Sequence, residues 1–133
     1  AQRLAIKALD AERADEETTA VRRLFARKRI AMVEGLEALG IRCGEGRLGT
    51  FYVWGDVSGL PKSLNDADSF FKAGLGRKVM TIPGPFFDVN PGGTHPPMKQ
   101  LKRWVRFSFG PSEDKITTGL ERLGEIIAVS LEE

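Results

Sequence analysis

A chain of 133 residues can build one domain around one core, burying roughly two-thirds of its unfolded surface. With 41% hydrophobic and 29% charged residues it has a globular composition, and no apolar run approaches the roughly 20 residues of a membrane span. Twenty bases against eighteen acids leave a net charge of +2, too mild to imply nucleic acid, while a single cysteine and a single histidine exclude an internal disulfide or a Cys/His zinc site.

The first residues, Ala1 to Lys7, mix charge into apolar positions unlike a secretory signal, so a cytoplasmic location is expected. Residues 1–9 read as the tail of a helix and Ala11–Glu17 as an acidic joint. A longer helix is expected from Thr18 or Thr19, with Val21, Phe25, Met32, Leu36 and Leu39 on one stripe, Lys28 in its single gap and Gly40 ending it. Ile41–Cys43 and Thr50–Val57 read as two strands of a hairpin around a glycine-rich turn, with Cys43 a small buried strand residue. Asn65 or Asp66 can cap a short helix that gathers Ala67, Phe70, Phe71 and Gly74 on one face and closes at Gly76.

Val79–Ile82 is the third expected strand, broken by Pro83-Gly84-Pro85 into a long loop through Pro91, Gly92, Gly93, Pro96 and Pro97. Lys102–Phe109 is the fourth strand. Ser112 then caps a last helix with Glu113 and Asp114 in its first turn and Ile116, Leu120, Leu123 and Ile127 as its buried stripe. The absence of strict βαβ alternation predicts an α+β domain: a small, mostly antiparallel sheet covered by helices.

Three motifs fail in context. Gly44-Glu45-Gly46-Arg47-Leu48-Gly49 fits G-x-G-x-x-G, but a strand follows where a dinucleotide site needs a helix, so it reads as a hairpin turn. Ser112-Glu113-Asp114-Lys115 fits S-x-x-K, yet Ser112 is a cap and the two acids favour a charged, solvated Lys115. The basic run Arg22–Arg29 reads as the polar face of a helix. His95 sits in the long loop with no acid beside it in sequence and reads as a loop contact.

Trp104-Val105-Arg106-Phe107-Ser108-Phe109-Gly110 carries the chemistry. It sets Arg106 among apolar residues on a strand, where a rigid guanidinium fork suits bidentate capture of a carboxylate; the spacing alone favours an ordinary solvated strand arginine, and the surrounding sequence shifts the balance. Four segments in order, Arg29–Gly40, Gly49–Asp56, Val79–Phe87, and Val105–Gly110 leading into Gly119–Leu123, together resemble the C-terminal small domain of class I/II, fold type I, pyridoxal-phosphate aminotransferases.

The resemblance covers nearly the whole chain, with 1–17 as the end of an interdomain helix and its joint and 18–133 as the small domain. It implies that Arg106 receives the α-carboxylate of an amino-acid or 2-oxo-acid substrate. It also implies that Gly49, Phe51 and the Pro83-Gly84 turn lie near the domain cleft, making Phe51 and Gly84 substrate-binding candidates. No catalytic or metal-binding residue is expected here. The family's cofactor, pyridoxal 5'-phosphate, is anchored by a lysine in a larger preceding domain that this chain lacks, so the chain alone is expected to bind no cofactor and to be inactive. Expected partners are that large domain, a second copy in a homodimer and the substrate, with neither nucleic acid nor membrane. The alternative is a free-standing, non-catalytic module that binds small carboxylates through the same Arg106.

Overall fold

The computed structural model describes residues 6, 9–44, 49–90 and 93–132. The expected helix tail over 1–9, most of the glycine-rich turn and the loop residues Pro91 and Gly92 lie wholly or largely outside them.

Asp10 starts the first long helix, α1 (Ala11–Ala38), by accepting the Arg13 N–H on its carboxylate at 3.0 Å. The helix therefore begins well before Thr18, and the expected acidic joint is its first two turns. The reason is that carboxylates favour a helix N-terminus, where unpaired N–H groups present positive charge. The predicted stripe is present, with Met32 and Leu36 buried and Phe25 and Leu39 partly so, although Val21 is exposed. Lys28, in the gap, is buried: its Nζ donates to the Gly110 carbonyl at 3.2 Å and lies 5.3 Å from the Phe25 ring centroid. Gly40, at φ 79°, turns the chain out of the helix.

Four strands form one antiparallel sheet in the order β1-β2-β4-β3: β1 (Arg42–Cys43), β2 (Tyr52–Asp56), β3 (Ile82–Pro83) and β4 (Trp104–Ser108). The hairpin of β1 and β2 is as expected. The third strand is shorter and later than expected. Before it, α2 (Ala67–Gly76), capped by Asp66, holds the chain back: the Val79 N–H bonds the Gly74 carbonyl at 2.8 Å and Lys78 takes a left-handed φ of 60°. Pairing with β4 consequently begins only at Ile82. The loop after β3 is not plain coil, since it carries 3-10 helices at Gly84–Phe87 and Lys99–Arg103, the second of which takes the first residues expected of β4.

The final helix, α3 (Glu113–Leu131), starts at Ser112 as expected, but the Ser112 side chain makes no capping bond. Its hydroxyl bonds the Asp114 carboxylate, which holds that carboxyl below its ordinary value. All three helices pack on one face of the sheet. The core between them joins Leu36, Val53, Phe70, Val105, Phe107 and Phe109 to Ile116, Leu123 and Ile127. The architecture is the α+β arrangement the pattern predicts. No helix among the described residues is long and apolar enough to cross a membrane.

Candidate functional site

Strand alternation divides the side chains of β2 and β4 between two faces. Val53, Gly55, Val105 and Phe107 point into the helix-covered core. Tyr52, Trp54, Trp104 and Arg106 point the other way, onto the face that the three α-helices leave open. Arg106 stands in the middle of the sheet, opposite Trp54 on one side and Ile82 on the other. A central strand with partners on both sides fixes the Cα, so the fork projects from a rigid base.

Two rings hold the guanidinium. Its Cζ lies 5.0 Å from the Tyr52 centroid and 5.0 Å from that of Phe87, within cation–π range of both. Phe87, on the first 3-10 helix, also meets Trp54 edge to face at 4.9 Å. The arginine is half-buried, and its Nε is sealed from solvent with no hydrogen-bond partner. Among the described residues no carboxylate pairs with Arg106. Asp56 is committed to other cations. Asp56, at the end of β2, is buried and bonded by Arg42 at 3.0 Å, with Arg103 at 3.5 Å. Burial pushes its carboxyl up, but hydrogen bonds from Ser58 and the two arginines outweigh this and hold it below the ordinary value.

Asp88 accepts the Met98 N–H at 2.9 Å on one oxygen; the other is buried with no hydrogen-bond partner, 3.8 Å from His95 Nε2. An acid thus stands beside His95 in space though none does in sequence. The His95 ring otherwise meets the Pro96 carbonyl at 2.9 Å, and its carbonyl accepts from Asn90. The loop-contact reading fits this geometry. Lys115 is exposed, again as expected. Cys43 is half-buried on β1, and burial together with Glu37 raises its thiol to about 11 against the pull of Arg29.

Of the other candidate residues, Phe51 lies just before β2, half-exposed, its ring 5.4 Å from that of Tyr52 in a T-shape. It is next to the Arg106 wall through that ring. Gly49 opens onto free space. Gly84 is buried, and a Cβ there would sit against the Leu101 carbonyl and 2.7 Å from that of Trp104. This close approach of two backbones accounts for the glycine and seats the 3-10 helix that carries Phe87. Tyr52, Trp54 and Phe87 escaped the sequence reading as partners of Arg106. Alternation along the two strands could have paired Trp54 with Arg106, but Phe87 reaches them only through a loop. The described residues contain no cluster of acids, His and Cys able to hold a metal.

The family described as aminotransferase class I and II matches residues 1–123. No curated protein matches the chain. Among solved structures, an aminotransferase from Mycobacterium tuberculosis is 28% identical with a TM-score of 0.70, over 94% of this chain and 29% of that one. Aspartate aminotransferase from Thermus thermophilus with maleate is 26% identical with a TM-score of 0.70, over 92% and 28%. An aromatic aminotransferase from Pyrococcus horikoshii shares the fold, with a TM-score of 0.75 at 21% identity over 92% and 30%. The chain therefore spans less than a third of the length of each of these proteins.

Proposed function

Because the chain belongs to the class I and II aminotransferase family, we propose that it is the C-terminal small domain of a pyridoxal-phosphate-dependent aminotransferase, and that Arg106 receives the carboxylate of an amino acid or 2-oxo acid. The observation that carries this reading is the Arg106 fork itself. It is set in mid-sheet, steadied by Tyr52 and Phe87, and has no acid of the described chain to neutralise it. A cation held this way keeps two parallel donors for an incoming carboxylate and loses little freedom on binding. The Thermus thermophilus relative was solved with maleate, a dicarboxylate, in keeping with an acid-binding role.

On this reading the described residues do not make a pyridoxal-phosphate site by themselves. Every described lysine except Lys28 is exposed, and Lys28 is spent on the Gly110 carbonyl in the layer of helices, across the sheet from Arg106. The cofactor, which supplies the electron sink for amino transfer, belongs on this reading to a larger domain. The open aromatic face around Arg106 is the surface that domain would meet, and the alignment of the substrate acid is this chain's share of the work. A second copy of the whole enzyme would complete a homodimer.

The test is Arg106→Lys in an enzyme carrying this domain behind its large domain. A point charge cannot form the two parallel bonds of the fork, so kcat/KM for the amino acid is expected to fall about tenfold to a hundredfold. An unchanged kcat/KM would remove the carboxylate role.

A further inference from the structure

On the helix side of the sheet, across from Arg106, a groove of about 470 Å³ opens between α3, the end of β4 and the segment from Lys78 to Thr81. It exists because β3 is short. Only Ile82 and Pro83 pair with β4, so the edge of β4 at Phe107 and Ser108 is left uncovered as the left-handed turn at Lys78 carries the chain away. The inner wall is apolar, from Met32, Val79, Leu120 and Leu123, and the rim is cationic, from Lys78, Lys115 and Arg122. None of the described residues lining it is an acid. None of the three cations forms a salt bridge within 4 Å among the described residues; Arg122 has a 3.5 Å contact with the Lys78 carbonyl, and Asp114, which bonds Ser112, attracts the neighbouring Lys115 from outside the groove. Thr81, also in the wall, buries a hydroxyl with no partner.

Gly119 sharpens the picture. It shares a helix face with Lys115 and Arg122, and a Cβ placed there would meet nothing within 4 Å. The other interior glycines of the two long helices are explained by packing, Gly35 against Leu120 and Gly124 against Leu39. A mid-helix glycine costs about 1 kcal/mol relative to alanine, and at 119 the fold demands no such cost. What the missing side chain leaves is space in the groove.

We propose that this groove is a second binding site, for a small organic anion with an apolar body of a few carbons and a carboxylate head, separate from Arg106. The body lies on Met32, Val79, Leu120 and Leu123, and the head meets Lys115, Arg122 and Lys78. Such a site answers to a metabolite acid other than the one held at Arg106, and it stands whether or not Arg106 binds substrate.

Hexanoate is a suitable probe, titrated into the 133-residue chain and followed by amide chemical shifts. Saturable shifts are expected at Val79, Thr81 and Gly119, with 1-hexanol binding at least about tenfold more weakly because it lacks the charge. Lys115→Gln with Arg122→Gln should weaken hexanoate at least about tenfold. Gly119→Leu should abolish binding while keeping or raising the melting temperature, since leucine fills the groove and favours the helix. Arg106→Gln should leave the groove shifts intact. Equal affinity for 1-hexanol, undiminished binding to Gly119→Leu, absence of saturable shifts, or shifts confined to Tyr52, Trp54 and Arg106 would each overturn the proposal.

Discussion

Replacing Arg106 by methionine separates a structural arginine from a binding one. The fold gains from losing the guanidinium, because Nε is buried without a partner and an unmet buried donor costs about 1–3 kcal/mol. It loses the two ring contacts at 5.0 Å, together about 1–2 kcal/mol. Methionine keeps an unbranched stem against Tyr52 and Phe87, with a sulfur that packs well on aromatic rings. These opposing effects nearly cancel, so unfolding free energy should change by less than about 1 kcal/mol. Carboxylate binding has no such compensation. Each charge-assisted bond is worth about 1.5–3 kcal/mol, so affinity should fall by about ten- to 150-fold per bond lost. Urea denaturation followed by the fluorescence of Trp54 and Trp104 measures the first quantity, and kcat/KM of an enzyme carrying the domain measures the second. A loss of more than about 3 kcal/mol in stability with kcat/KM intact would make Arg106 a structural residue and refute the reasoning.

Gly84→Ala drives a methyl into the Leu101 and Trp104 carbonyls, so it should destabilise the chain by about 1–3 kcal/mol and shift Phe87 off Arg106; an unaltered urea midpoint would show that the backbone contact is looser than described. Asp56→Asn removes the charge that Arg42 and Arg103 share, and because both arginines are largely exposed the cost at pH 7 should be about 1–2 kcal/mol. The Asp56 carboxyl is lowered in the folded state, so the wild-type advantage over Asp56→Asn should be complete above the ordinary value of 3.8 and vanish as pH falls through the lower folded value. An advantage that persisted unchanged at pH 2 would contradict this. Cys43, raised from 9.0 to about 11, should react with a disulfide reagent at pH 8 roughly a hundredfold more slowly in the folded chain than in urea, as its thiolate fraction requires; equal rates would place the thiol in solvent.

Local patterns were enough to predict three helices, the β1–β2 hairpin and an antiparallel sheet, because apolar spacing, caps and glycines act within a few residues of one another. The stripe of α1 and the Asp66 cap are read from such neighbours. They also singled out Arg106, since an arginine flanked by Val105 and Phe107 on a strand is visible without knowing its surroundings. Where the prediction missed, distant parts of the chain compete for the same backbone. The Lys78–Thr81 segment has strand composition, but the end of α2 captures Val79 first, and what remains for β4 is two residues. Likewise Lys28 interrupts an apolar stripe in sequence and is accommodated only because Gly110, 82 positions later, offers a carbonyl. The aromatic clasp on Arg106 and the cationic groove behind the sheet arise from strand register and from how α3 and α2 meet. Those are long-range packing outcomes, which no window of neighbouring residues encodes.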